Sequence, residues 1–197
     1  MRARMGLAYS LTSYEHREIL LKDRPQSLYD ISPKGTVPVL QLEDGTVLEE
    51  SIDIMRWALT QNDPDSWYED KIDEQDKLIH GNDQDFKRRL DKYKYHVRFP
   101  ENDLEFHQKG VAEFLLRYDD KLRSETFLFG SQITLADVAL MPFIRQCAHV
   151  DLDWFNTQFP FLAKWLMSLK ESKLFNSIMT KHAIWDEASK GIIVKWD

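Results

Sequence analysis

A proline inside an apolar run most constrains this chain: Gly35-Thr36-Val37-Pro38-Val39-Leu40, followed ten residues on by Glu49-Glu50-Ser51. Proline cannot donate to a sheet ladder, so Pro38 belongs on an edge or at the first residue of a strand. That leaves the Val37 backbone without an obligatory strand partner. If the Val37–Pro38 bond is cis, both the N–H and the C=O of Val37 turn outward, and such a backbone can pair with a peptide. Beyond it, Val39 to Leu42 and Thr46 to Leu48 are short apolar segments around Asp44-Gly45, a strong two-residue hairpin signal. Ser51 then precedes Ile52, Met55, Ala58 and Leu59, a stripe at helical spacing with Asp53 in its first turn, so Ser51 is the expected N-cap. Two readings of Ser51 stay open: an ordinary cap, or a helix N-terminus whose free N–H groups receive a carboxylate.

Val37-Pro38 before a hairpin, with Glu50-Ser51 at a helix start, resembles the glutathione transferase family, and the resemblance runs over nearly the whole chain. It is nearest the omega-like or bacterial Cys-type members. The resemblance implies an α+β protein with a thioredoxin-like N-terminal domain and an all-α helical-bundle C-terminal domain. It also implies that Val37, beside cis-Pro38, pairs with the cysteinyl backbone of glutathione, and that Glu50 and Ser51 hold the γ-glutamyl end. Arg24, in Leu21-Lys22-Asp23-Arg24-Pro25, matches the segment where omega-like members set a basic residue against the glycyl carboxylate; a solvated loop arginine is the competing reading. Glutathione would be the co-substrate, with a small electrophile or disulfide as second substrate and a homodimer as the expected assembly.

Met1, Met5, Ala8 and Leu11 share a helical face, so residues 1–11 read as a helix without a cap. Arg17 to Lys22 reads as a strand and Ser27 to Ile31 as a short helix. In the resembling family an Arg-rich helix like Met1-Arg2-Ala3-Arg4 follows a first β-strand and a catalytic loop, often Cys-Pro-x-x. Neither is present in this sequence, so the expected thioredoxin-like domain is incomplete; a start codon assigned too late is the preferred explanation. Gln61-Asn62-Asp63-Pro64-Asp65 reads as a linker. The expected domains are therefore residues 1–62, glutathione-binding, and 63–197, all helical.

In the second domain a long helical pattern runs from Asp65 to Arg98, with a break near Gly81-Asn82, and a second from Asp103 to Leu122. Thr134 with Asp137 reads as a capping box with Ile133 and Val138 as its staple. The family has this Thr-x-x-Asp element as a folding support. Shorter helices over Trp154–Lys170 and Leu174–Lys181 follow, and the tail with Trp185 and Trp196 is expected on the bundle.

Chemistry is less legible. The single cysteine, Cys147, excludes an internal disulfide and reads as a buried structural thiol. Tyr9 and Ser10 lie toward the C-terminus of their helix, where the dipole disfavours a thiolate. The catalytic residue is thus unknown from the sequence. His16, His80, His96, His107, His149 and His182 show no compact ligand spacing, so no metal is expected. A net charge of −7 argues against nucleic acid and anionic membranes as partners. No apolar run has membrane-spanning length, and a reducing cytoplasm fits the cysteine usage. Lys87, Arg88, Arg89, Lys92, Lys94 and Arg98, interleaved with Tyr93 and Tyr95, are expected to pair with the acidic run from Asp63 to Asp85 or across a dimer interface. Tyr93, His96, Phe99 and His107 could line an electrophile pocket, as in the family, or pack in the core.

Overall fold

A computed structural model describes residues 1–196. In chain order the first elements are α1 (Arg2–Tyr9), β1 (Tyr14–His16), α2 (Gln26–Ile31), β2 (Leu40–Gln41), β3 (Val47–Leu48) and α3 (Ser51–Gln61). Then come α4 (Ile72–Gly81), α5 (Lys87–Lys94), α6 (Leu104–Leu122), α7 (Leu135–Ala148), α8 (Leu152–Gln158), α9 (Pro160–Glu171), α10 (Lys173–Ser177) and β4 (Ile192–Val194). They form two compact units: residues 1–65 with 173–196, and residues 66–172.

In the first unit Ala3 and Leu7 of α1 pack on Ile54 and Ala58 of α3, with Tyr14, Leu40, Leu48 and Trp57 around them. The two helices approach closely because α1 carries Gly6. A Cβ there would lie 3.0 Å from the Met55 Cα. The helix ends earlier than its apolar stripe suggests: Leu11 adopts a positive φ of 57° and is exposed. Thr12 N–H donates to the Leu7 carbonyl and Leu11 N–H to that of Ala8, the paired bonds of a Schellman stop.

The strand expected over Arg17–Lys22 is instead Tyr14–His16. Its partner is the distant tail strand β4, antiparallel, with Tyr14 opposite Val194 and His16 opposite Ile192. Past His16 the chain keeps only isolated bridges, Glu18 to Ile184 and Leu20 to Asp23, and Asp23 N–H closes a turn on the Leu20 carbonyl. The tail, expected on the helical bundle, is thus part of the first unit. Trp185 N–H donates to the Glu18 carbonyl at 2.8 Å, and Trp196 Nε1 to that of Thr12 at 3.0 Å.

The hairpin stands where Asp44-Gly45 signals it, but with a three-residue loop. Leu42 N–H meets the Thr46 carbonyl, Gly45 N–H that of Leu42, and Gly45 takes a φ of +88°. β2–β3 and β1–β4 are separate two-stranded sheets. Among the described residues no strand joins them, so the thioredoxin-like sheet is incomplete, as expected.

The second unit is helical throughout. Its first long pattern begins at Ile72 rather than Asp65 and becomes a π-helical turn over Asn82–Phe86, at the expected break. It ends at Lys94, and His96–Arg98 form a 3₁₀ turn. Asp103 caps α6 by accepting from Phe106 N–H at 2.8 Å. Val111, Leu115 and Tyr118 of α6 are buried on one face, as their spacing requires. At the centre runs α7, buried on nearly every side and begun by the expected capping box. Asp137 accepts four hydrogen bonds: Leu128 N–H at 2.9 Å, Trp165 Nε1 at 2.8 Å, Thr134 N–H at 3.0 Å and Thr134 Oγ1 at 2.7 Å. Burial pushes its carboxyl up, and the four donors oppose that shift. No helix of the described residues is long and apolar enough to cross a membrane.

Candidate functional site

Residues 32–51 of the first unit make the candidate site. The Val37–Pro38 bond is cis, and Val37 is 45% exposed. No hydrogen bond of the Val37 backbone occurs among the described residues, so its N–H and C=O remain available. The approach to Val37 is fixed by Gly35, which has a φ of +59° and hydrogen-bonds through its N–H to the Ser32 carbonyl at 2.8 Å. A side chain there would also strike the Tyr29 ring, 2.3 Å from an added Cβ.

Polar contacts tie this approach to the start of α3. Ser32 Oγ donates to Glu49 Oε1 at 2.6 Å, while Lys34 Nζ lies 3.5 Å from Glu49 Oε2 and 3.7 Å from Glu50 Oε1. The Ser32 hydroxyl, followed by the Lys34 ammonium, holds the Glu49 carboxyl below its usual range. Residues 32–34 and 49–50 are thereby neighbours, which brings Val37 and Ser51 onto one local framework. Sequence pattern alone assigns no binding role to Ser32, to Lys34 or to Glu49 of the Glu49-Glu50-Ser51 stretch. The available signal was a lysine in Ser32-Pro33-Lys34-Gly35, one residue before the turn that presents Val37.

Ser51 is not the N-cap. Glu50 holds that position with extended backbone, and its carbonyl accepts from Asp53 and Ile54 N–H, each at 3.1 Å. Ser51 is the first helical residue, and the Glu50 side chain makes no capping hydrogen bond, its Oε1 lying toward Lys34. This places the Ser51 N–H among the unsatisfied donors of the first turn, at the positive end of the helix dipole. A carboxylate meeting this turn would find backbone N–H groups and the Ser51 hydroxyl, and an ammonium would find Glu50. Arg24, two residues before α2, is exposed with no partner among the described residues.

None of the groups weighed for sulfur activation is poised for it. Tyr9 donates to Asp63 Oδ1 at 3.0 Å and accepts from Asp65 N–H at 2.8 Å; burial first of all drives its phenol far above its ordinary range. Ser10 is buried, spending its hydroxyl on the Leu7 carbonyl and on Thr12 Oγ1. Cys147 is fully buried in α7, and burial pushes its thiol up to about 12. At neutral pH that leaves essentially no thiolate.

Among the described residues of the second unit, the basic stretch makes no ion pair with the acidic run up to Asp85. Lys87 pairs with Asp91, and Arg89 with Glu113 at 3.3 Å. Helical spacing explains the first and the α5–α6 contact the second. Arg98 and Lys94 sit over Tyr95 at 4.7 and 5.0 Å. Tyr93 is fully buried edge-on to Trp154, and His107 is buried against Phe99, both as core residues. His96 is half-buried.

A family model for the glutathione S-transferase N-terminal domain matches residues 1–61, and one for the C-terminal domain matches residues 74–172. Among proteins with curated descriptions, none matches. The fold resembles that of the transferase URE2P6 from Phanerochaete chrysosporium, solved with oxidised glutathione: TM-score 0.77 and 18% identity, over 89% of this chain and 87% of that one. For poplar glutathione transferase F1 the TM-score is 0.74 and the identity 19%, over 90% of each chain. BphK, a bacterial glutathione transferase solved as a ternary complex, gives 0.74 at 17% identity, over 89% of this chain and 90% of the other. With both domain models matched in order, and the incomplete thioredoxin-like unit joined to a helical one, this chain belongs to the glutathione transferase family.

Proposed function

We propose that the chain binds glutathione at Val37, Glu50 and Ser51, with Pro38 shaping the strand entry and Arg24 meeting the glycyl carboxylate, and that it transfers glutathione to an electrophile or exchanges it with a disulfide. The observation that carries this reading is the cis Val37–Pro38 bond with an unpaired Val37 backbone, on the same framework as the first turn of α3. A peptide backbone pairs with Val37 as an added strand does. The γ-glutamyl carboxylate then meets the Ser51 turn and its ammonium meets Glu50, each a charge-assisted contact. In this proposal the protein acts as a homodimer in the cytoplasm.

A second reading, a glutathione-binding protein without turnover, is favoured by a specific observation: Tyr9 and Ser10 are engaged and Cys147 is buried. Conjugation of glutathione to chlorodinitrobenzene and thiol exchange with a small mixed disulfide separate the two. Turnover in either assay is the expected result of the enzyme reading. Saturable glutathione binding without turnover establishes the second, and absence of binding defeats both.

A further inference from the structure

The tail of the first unit lies along β1 as an extended strap, and most of its grips are weak. Ile192 and Ile193 remain 46% and 58% exposed, so the β1–β4 ladder buries little apolar surface. Ser27 Oγ to Glu187 at 3.0 Å and Gly191 N–H to Glu15 at 2.9 Å are exposed contacts. The exposed Arg17 guanidinium lies over the half-buried Trp185 ring at 4.6 Å. Contacts of this kind contribute little each, and segments held by them open locally at low cost. The docking of the strap is therefore sensitive to any one group whose charge can change.

His182 is that group. Its ring centroid lies 4.4 Å from that of His16 on β1, and its Nε2 lies 3.4 Å from Arg4 Nη2 on α1. The same guanidinium reaches the Thr180 carbonyl at 3.2 Å, so Arg4 grips the strap on both sides of Lys181. The charged groups facing His182 are His16, Arg4 and Glu18. Around them stand the Met1 amine, Arg2 and the Tyr14 phenol. The carboxylate of Glu18 is spent on His16 Nε2 at 3.1 Å. Neutral His182 can accept from Arg4, whereas an imidazolium would face a guanidinium across 3.4 Å and a second imidazole at van der Waals range.

We propose that His182 is a proton-operated latch. Neutral, it seats residues 180–196 on α1 and β1; protonated, it is repelled by Arg4 and His16, and the strap leaves the edge of β1. Released, Tyr14–His16 present an open strand edge to any other extended segment. The direction follows from linkage. Burial first, then His16 and Arg4, lower the affinity of docked His182 for a proton from an ordinary value of 6.5. Docking is accordingly complete above about pH 6.5, weakens as pH falls from there toward the docked value, by at most about tenfold per pH unit, and levels off below it.

Amide hydrogen exchange followed by mass spectrometry, corrected for intrinsic rates, tests this between pH 7.5 and 5.0. In the native chain protection at residues 14–16 and 192–194 should drop several-fold below pH 6.5, while that of α7 holds. In His182→Asn, which keeps a polar partner for Arg4 but cannot take the proton, the strap should keep the same protection across the range. An unchanged native strap down to pH 5.0, or an equal drop in His182→Asn, would overturn the latch.

Discussion

Asp137→Ala should lower the stability of the second unit by about 4 kcal/mol, a large part of the roughly 5–15 kcal/mol that holds a typical domain together. The carboxylate is fully buried at the N-terminal end of α7 and accepts from three segments: the Leu128 backbone, the Thr134 cap and the Trp165 indole. Alanine leaves the Leu128 N–H and the Trp165 Nε1 buried without an acceptor, each at about 1–3 kcal/mol, and removes the cap as well. Thr134→Ala removes only the hydroxyl and should cost about 1 kcal/mol. Urea unfolding followed by far-ultraviolet circular dichroism measures both. Equal small losses would mean that the cap alone matters and that Asp137 does not bind the three segments together.

Gly6→Val should destabilise the first unit by about 3 kcal/mol, the upper part of the range for overpacking a filled interior. A Cβ at this position meets the Met55 Cα at 3.0 Å, its Cγ at 3.1 Å and its Cβ at 3.3 Å, and Met55 is fully buried. The nearest obstacle is backbone, so α1 and α3 have to move apart rather than let a side chain swing aside. Gly81→Ala is the contrasting change. An added methyl there meets nothing within 4 Å, so helix propensity alone predicts a gain of about 0.5–1 kcal/mol. Opposite signs in the melting temperatures of the two variants would support the close approach of the helices; a loss in neither would dismiss it.

Local chemistry made the hairpin and the helical unit legible in sequence. Asp44-Gly45 marked a hairpin and Thr134 with Asp137 a helix start, because each acts over three or four residues; Pro38 lies outside any strand, two residues before β2. What escaped depended on distant partners. Nothing in Arg17–Lys22 signals that the tail pairs with Tyr14–His16, since the pairing residues are Ile192–Val194 at the other end of the chain. The N-cap stands one residue before Ser51, at Glu50, whose side chain makes no capping bond, so the preference of serine for cap positions does not locate it. The basic stretch of α5 found Glu113 because α6 packs beside it, which charge runs along the chain cannot show.

The central claim is that Val37, Glu50 and Ser51 hold glutathione. Its most direct measurement is calorimetric titration of reduced glutathione into the native chain, Ser51→Ala and Glu50→Ala. Each variant removes a partner of a charged ligand group, worth about 1.5–3 kcal/mol, so each should weaken binding by about ten- to a hundredfold. Saturable binding by the native chain and such losses in both variants are the expected result. A native chain that takes up no glutathione, or equal affinity in all three proteins, would contradict the assignment.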